Sequence, residues 1–269
     1  MPHIRLNKAM ASAGLCSRRR ADELIIRGEV RVNEVLVRTL GTKIDPMKDR
    51  VEVAGKRLDL IDPDRKEHLY LALHKPPGVI SSARDPQGRT IVLDLLPESI
   101  RKHRVLPVGR LDFDSEGLLL LTDDGAMIHR LTHPGHGVAK TYRVLVQGPV
   151  TTGRLETMRR GMILKEGKKL APVSVTVLKR QHDRTWLEMI LNQGVNRQIR
   201  RMCRDLGLDV IRLIRVRQGP VDLRDLPRGK FRYLSTSEIE QLTETKKRFQ
   251  VHGSRFTVEE EKDPGKDSP

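Results

Sequence analysis

Apolar residues recur with a helical period near the start of the chain and with a strand period through most of the rest. Leu6, Met10 and Ala13 share one face of a short helix, and Gly14 supplies a plausible stop. Ser17 is placed to cap a second helix, "RRRADELIIRG", with Ala21, Leu24 and Ile25 on its apolar side and Gly28 at its end. "EVRVNEVLVRTLGTKID" then alternates as short strands. "DPDRKEH" (62–68) has no apolar period and holds a proline, so it predicts a linker. Beyond it, "LYLALHKPPG" (69–78) predicts a strand ending at Lys75. Alternation and β-branching predict further strands at "YRVLVQG" (142–148), "VSVTVLKR" (173–180), "RTWLEMIL" (184–191) and "LDVIRLIRV" (208–216). Helices fall between some of these strands without regular βαβ order. The expected fold is therefore α+β: a small N-terminal α/β unit over 1–62, a linker at 63–68, and a second domain over 69–244 built on a mixed, mainly antiparallel sheet. Residues 245–269 are polar and read as a partly disordered tail. No internal repeat is visible.

One helix carries a sharper pattern. In "NQGVNRQIRRMCRDLG" (192–207), Ile199, Met202, Cys203 and Leu206 form a core stripe. On that wheel Arg197, Arg201 and Arg204 face away from the stripe, and Arg200 sits on the flank, where a guanidinium can reach a cleft.

Charge then narrows the partner. Lys and Arg outnumber Asp and Glu by 51 to 35, a net charge of +16, which favours a polyanion. Membrane is the rival, but no 18-residue apolar stretch occurs and the first 20 residues are polar and basic, without the pattern of a secretory signal. The N-terminal unit concentrates Arg5, Lys8, Arg18, Arg19, Arg20, Arg27 and Arg31. Three successive arginines at a helix start sit where the dipole disfavours cations, as expected of a face that docks on phosphates. Aromatics are few (one Trp, three Tyr, four Phe), so base stacking should involve one or two rings and affinity should come mostly from phosphates. Cys16 and Cys203 lack metal spacing and read as reduced core residues of a cytoplasmic protein.

The candidate chemistry lies in "VGRLDFDSEGLLLLTDDG" (108–125), where Asp112, Asp114 and Glu116 stand before four leucines. Such acids can hold a metal, fill a loop or act on a substrate. A calcium loop fits poorly, because Leu118–Leu121 would occupy ligand positions and position 12 is Asp123 rather than Glu. An acid at the edge of a dry leucine wall, with a guanidinium as counter-charge, is a minimal active site. Arg200 is the candidate guanidinium, and Tyr142 in "AKTYRVLV" (139–146) is the candidate ring against which a base could lie. His129, His133 and His136 mimic ligand spacing, but Pro134 and Gly135 interrupt the helix that would align them. No phosphate-cradling glycine loop is present.

These stretches resemble a known family. "GRLDFDSEGLLLLTDDG" is similar to the signature of the RsuA/RluB/RluE/RluF-type pseudouridine synthases. "HKPPGVISS", "KTYRV", "GVNRQIRRMC" and "VIRLIRVRQGPV" follow in that family's order, over about residues 70–235. "RLNKAMASAGLCSRRRADELI" resembles the S-four-type RNA-binding domain often fused ahead of it. The resemblance implies that Asp112 is the catalytic carboxylate, as nucleophile or base. It implies that Tyr142 contacts the target base, that Arg200 pairs with Asp112, that Leu213 lines the pocket and that Arg110 helps to hold the displaced nucleotide. Lys75, Arg197 and Arg201 are further candidates for substrate contact, and Arg5, Lys8, Arg18, Arg19 and Arg20 for RNA docking.

The implied reaction converts a uridine in RNA to pseudouridine without cofactor or metal. The wording of the motifs leans toward large-subunit ribosomal RNA, with small-subunit RNA as an alternative. A non-catalytic RNA-binding assembly factor is the alternative from another class. Such a protein would have no use for Asp112, Tyr142 and Arg200 together. A monomer is expected.

Overall fold

The computed structural model describes residues 3–60 and 67–244. The expected tail at 245–269 and most of the expected linker at 63–68 lie outside the described residues. Helices α1 (Leu6–Ser12) and α2 (Arg18–Ile26) pack together at the N-terminal end. Ser17 caps α2 by accepting from the Arg20 N–H at 3.2 Å, as the sequence suggests. Strands β1 (Ile4–Arg5) and β4 (Lys43–Ile44) pair, and β2 (Val30–Val32), β3 (Val35–Val37), β5 (Val51–Val53) and β6 (Lys56–Leu58) form a four-stranded antiparallel sheet in the order β3-β2-β5-β6. Leu6, Met10, Ala21, Ile25, Val30, Ile44 and Val51 close the core between helices and strands. The apolar side of each helix is used here, so the basic side is left outward.

A nine-stranded sheet organises the rest. Its main path runs β11 (Ser174–Gln181), β12 (Arg184–Leu191), β10 (Lys140–Gln147), β13 (Asp209–Gln218), β9 (Glu116–Thr122), β7 (Tyr70–Lys75), β15 (Phe231–Tyr233). The short strands β8 (Leu106–Pro107) and β14 (Val221–Asp222) pair with β9 and β13. All pairings are antiparallel except β9 with β13. Helices α3 (Glu98–Arg101), α4 (Gly125–Thr132), α5 (Thr152–Arg160), α6 (Gln198–Asp205) and α7 (Thr236–Glu244) cover the sheet.

The four leucines of β9 point alternately to the two faces. Leu118 and Leu120 pack with Met127, Leu131 and Leu242, while Leu119 and Leu121 pack with Val92, Ile100 and Val105. A continuous apolar run is what a strand buried on both faces requires. The expectation that these leucines wall a cleft is therefore corrected: they anchor the strand that the acidic turn precedes.

The parallel junction depends on Gly117. Its backbone lies at φ +112°, and a Cβ there would sit 2.3 Å from the Arg215 carbonyl oxygen. Only glycine allows β9 to approach β13 this closely. That approach brings the turn before β9 alongside Leu213 and Arg215.

Candidate active site

The five acids of residues 112–124 have five different surroundings. Asp123 accepts from the Leu69 N–H at 3.0 Å, and Asp124 caps α4 by accepting from the Ala126 and Met127 N–H groups. Glu116 is buried on β9 and held by Arg212 and by Arg228 at 2.8 Å. Asp114 is exposed and pairs with Arg197 and Arg200, each at 3.3 Å. Asp112 alone turns into a cleft of about 270 Å³. Glu116 is turned to Arg212 and Arg228 and Asp124 to the start of α4, so these acids form no calcium loop. Among the described residues no group of three His, Cys, Asp or Glu side chains could hold a metal, although the His129, His133 and His136 rings lie within 6.0 Å of one another.

The backbone around Asp112 is pinned from below. The Ser81 hydroxyl donates to the Leu111 carbonyl at 2.9 Å and accepts its N–H at 3.1 Å. Gly78 N–H donates to the Phe113 carbonyl at 2.8 Å. Lys75 is fully buried, and its ammonium donates to the carbonyls of Pro76, Asp112 and Ser115 at 3.0, 3.0 and 2.8 Å. Burial lowers its pKa from the usual 10.5 to about 8, against the raising effect of Asp112 and Asp114. The sequence places Lys75 among the substrate contacts; the strand instead buries it beneath the turn, where it holds the Asp112 backbone in place.

Two other expectations change in the same way. Arg200, 15% exposed on the flank of α6, donates to the Asp114 carbonyl at 3.1 Å and the Ser115 hydroxyl at 3.3 Å, and it pairs with the Asp114 carboxylate rather than with Asp112. The guanidinium that reaches Asp112 is that of Arg197, at 3.8 Å. Arg197 precedes α6 in the left-handed region (φ +47°), so it leaves the helical wheel and swings toward the acids. Arg201 remains on the wheel, outside the cleft lining, bonded to Glu166 and to the Asn196 carbonyl.

Tyr142, Leu213, Arg110 and Arg197 line the same cleft as Asp112. Register explains the grouping. Tyr142 on β10 pairs with Arg215 on β13, and Lys140 and Leu213 lie two residues away on the same face. Lys140 and Arg215 escape a motif-based reading, yet strand alternation from Tyr142 and Leu213 points to both. Gln198 also lines the cleft; it is buried, and neither its amide oxygen nor its nitrogen has a partner among the described residues. Val108, Leu111, Leu131, Leu191, Val195 and Ile199 supply the apolar lining.

The N-terminal basic residues lie elsewhere. Arg5, Arg18, Arg19 and Arg20 are exposed and Lys8 is half-buried, with Arg20 paired to Glu23 at 2.7 Å. The two cysteines are free: Cys203 is buried in the core, and burial pushes its thiol up to about 12.

A cleft with one carboxylate, one tyrosine ring and several cations, on a mixed sheet that follows a small basic domain, fits an enzyme that acts on a base within a nucleic acid. Residues 69–205 match the RNA pseudouridylate synthase family, and residues 4–59 match the S4 domain. The chain belongs to the RNA pseudouridylate synthase family. It is 39% identical to ribosomal large subunit pseudouridine synthase B of Bacillus subtilis (strain 168), over 88% of this chain and 95% of that one. It is 38% identical to an uncharacterized RNA pseudouridine synthase of Aquifex aeolicus (strain VF5), over 90% of this chain and 94% of the relative. A crystal structure of a pseudouridylate synthase superposes with a TM-score of 0.64 at 30% identity, covering 89% of this chain and 99% of that one.

Proposed function

We propose that this protein isomerises a uridine of ribosomal RNA, in the large subunit, to pseudouridine, and that the Asp112 carboxylate performs the chemistry. One observation carries the assignment: among the described residues Asp112 is the only acid lining the cleft, and Tyr142 shares that cleft. The similarity to the Bacillus subtilis large-subunit enzyme supports the choice of RNA.

Pseudouridine is an isomer of uridine, so no electrons enter or leave. The bond from N1 to C1′ breaks, the uracil turns, C5 bonds to C1′, and the proton lost from C5 is balanced by one gained at N1. Asp112 acts either at C1′ or on the 2′ proton; both routes use the same carboxylate. Tyr142 holds the base. Arg197 is the counter-charge to Asp112, and Arg200 fixes the neighbouring Asp114 and Ser115. Leu213 lines the pocket and Arg110 holds the displaced nucleotide. The cleft has room for the base and sugar of one nucleotide, so a paired uridine must leave its stack, whereas a loop uridine enters more cheaply.

The exposed arginines of α2, with Arg5 and Lys8, dock on RNA phosphates. We further propose that the protein works as a monomer in the cytoplasm, where its free cysteines suit a reducing medium. Mapping pseudouridine in ribosomal RNA from cells with and without the protein tests the function. Loss of pseudouridine at one large-subunit position is expected; an unchanged map overturns the assignment, and a loss confined to the small subunit moves the target.

A further inference from the structure

Two cations set into the wall of the cleft, less exposed than Arg110, form no ion pair among the described residues. Arg215 is only 2% exposed, and its Nε donates to the Leu118 carbonyl at 2.7 Å, while its Nη2 is buried without a partner among the described residues. The Lys140 ammonium donates to the Val138 carbonyl at 3.0 Å. Among the described residues neither is ion-paired, and the one carboxylate that lines the cleft, Asp112, lies within salt-bridge distance of Arg197 instead. Burial, with the charge of Arg215 beside it, lowers the Lys140 pKa from the usual 10.5 to about 8. Holding cations together in a dry place is costly unless an anion joins them.

Their position says which anion. Lys140 is two residues from Tyr142 along β10, roughly 7 Å at the usual strand rise, and Arg215 is the cross-strand partner of Tyr142. That is about the reach from a nucleobase across its sugar to its phosphate. We propose that Lys140 and Arg215 form a seat for a backbone phosphate of the target nucleotide, beside the ring that holds its base. This rests on reading the cleft as the uridine site. The seat takes the phosphate on either the 5′ or the 3′ side of the sugar, and it fixes which way the strand enters. Nη2 of Arg215 has no partner among the described residues, and the Lys140 ammonium, which gives one proton to the Val138 carbonyl, keeps two more to donate.

Titration of the full chain with uridine, 5′-UMP and 3′-UMP tests the seat. One of the two nucleotides should bind about 10-fold or more tightly than uridine, the worth of one hydrogen bond between charged groups. The preference should shrink to about 2-fold in Lys140→Gln, return in Lys140→Arg, and persist in Lys102→Gln, which removes an exposed charge that does not line the cleft. The comparison on the unaltered protein needs no variant, and Lys140→Met repeats the test if Lys140→Gln does not fold. Equal binding of uridine and both nucleotides overturns the proposal, as does a preference that survives loss of the Lys140 charge. A Lys140-dependent phosphate preference in a protein that leaves ribosomal RNA unmodified would keep the seat and sink the isomerase reading. Wild-type turnover and KM in Lys140→Gln would do the reverse.

Discussion

Replacing Lys75 by methionine separates stability from activity in a way that only a buried clamp predicts. The ammonium is fully buried, and its pKa falls from 10.5 to about 8. At about 1.4 kcal/mol for each pH unit, burying the charge costs roughly 3 kcal/mol at neutral pH. Against this stand hydrogen bonds to the carbonyls of Pro76, Asp112 and Ser115, with a longer one at 3.5 Å to the Phe113 carbonyl, which the Gly78 N–H also satisfies. Orphaning a buried carbonyl costs about 1–3 kcal/mol, but the Asp112 carbonyl keeps a bond from the Ser115 N–H, so two are at stake. The terms are of similar size and opposite sign. Lys75→Met should therefore keep its folding free energy at pH 7 to within about 2 kcal/mol. Turnover should fall about 100-fold, because a shift near 1 Å in a reacting group has that effect. The sign with pH is fixed too. Between about pH 8 and 10.5 the unfolded chain holds the Lys75 proton and the folded chain does not, so wild-type stability rises relative to the methionine variant across that window. Denaturant titrations at pH 7 and pH 9, with single-turnover rates on ribosomal RNA, check both parts. Wild-type turnover in Lys75→Met, or a gap that moves against the wild type as pH rises, refutes the clamp.

Other expectations follow from the arginines. Arg197→Met should lower kcat/KM about 10-fold by removing the guanidinium beside Asp112, whereas Arg201→Met, whose parent side chain is taken up by Glu166, should stay within about 3-fold; equal losses in the two variants would contradict the geometry. Replacing exposed Arg18 and Arg19 together by glutamine should reduce the slope of log affinity against log salt by about 1–2 and leave the rate on bound RNA unchanged. A salt slope equal to the wild type's would remove the N-terminal helix from the RNA contact.

Much of the fold was legible because alternation reports local burial. The strand expected at 184–191 forms at Arg184–Leu191, and the one expected to end at Lys75 does so. The helix stripe of Ile199, Met202 and Cys203 is buried as the period requires. What escaped depends on how distant segments meet. Lys75 stands at the end of a strand, and no local pattern reveals that a turn some forty residues later folds over it. Arg197 sits one residue before a helix in a left-handed conformation, so the helical wheel placed it on the wrong side. Arg200 holds the right loop but the neighbouring acid, a difference of two residues that spacing does not resolve. Lys140 and Arg215 were within reach of the same alternation that exposed Tyr142 and Leu213. A cation on a strand reads as a solvated edge until its burial is known, so pattern alone does not single them out.

The most direct measurement compares Asp112→Asn with the wild type on unmodified ribosomal RNA, recording binding and pseudouridine formation in the same sample. Asparagine keeps the shape and the turn while removing the acid, so affinity should stay within about 3-fold and no pseudouridine should form. Undiminished conversion by Asp112→Asn would show that some other group carries the reaction.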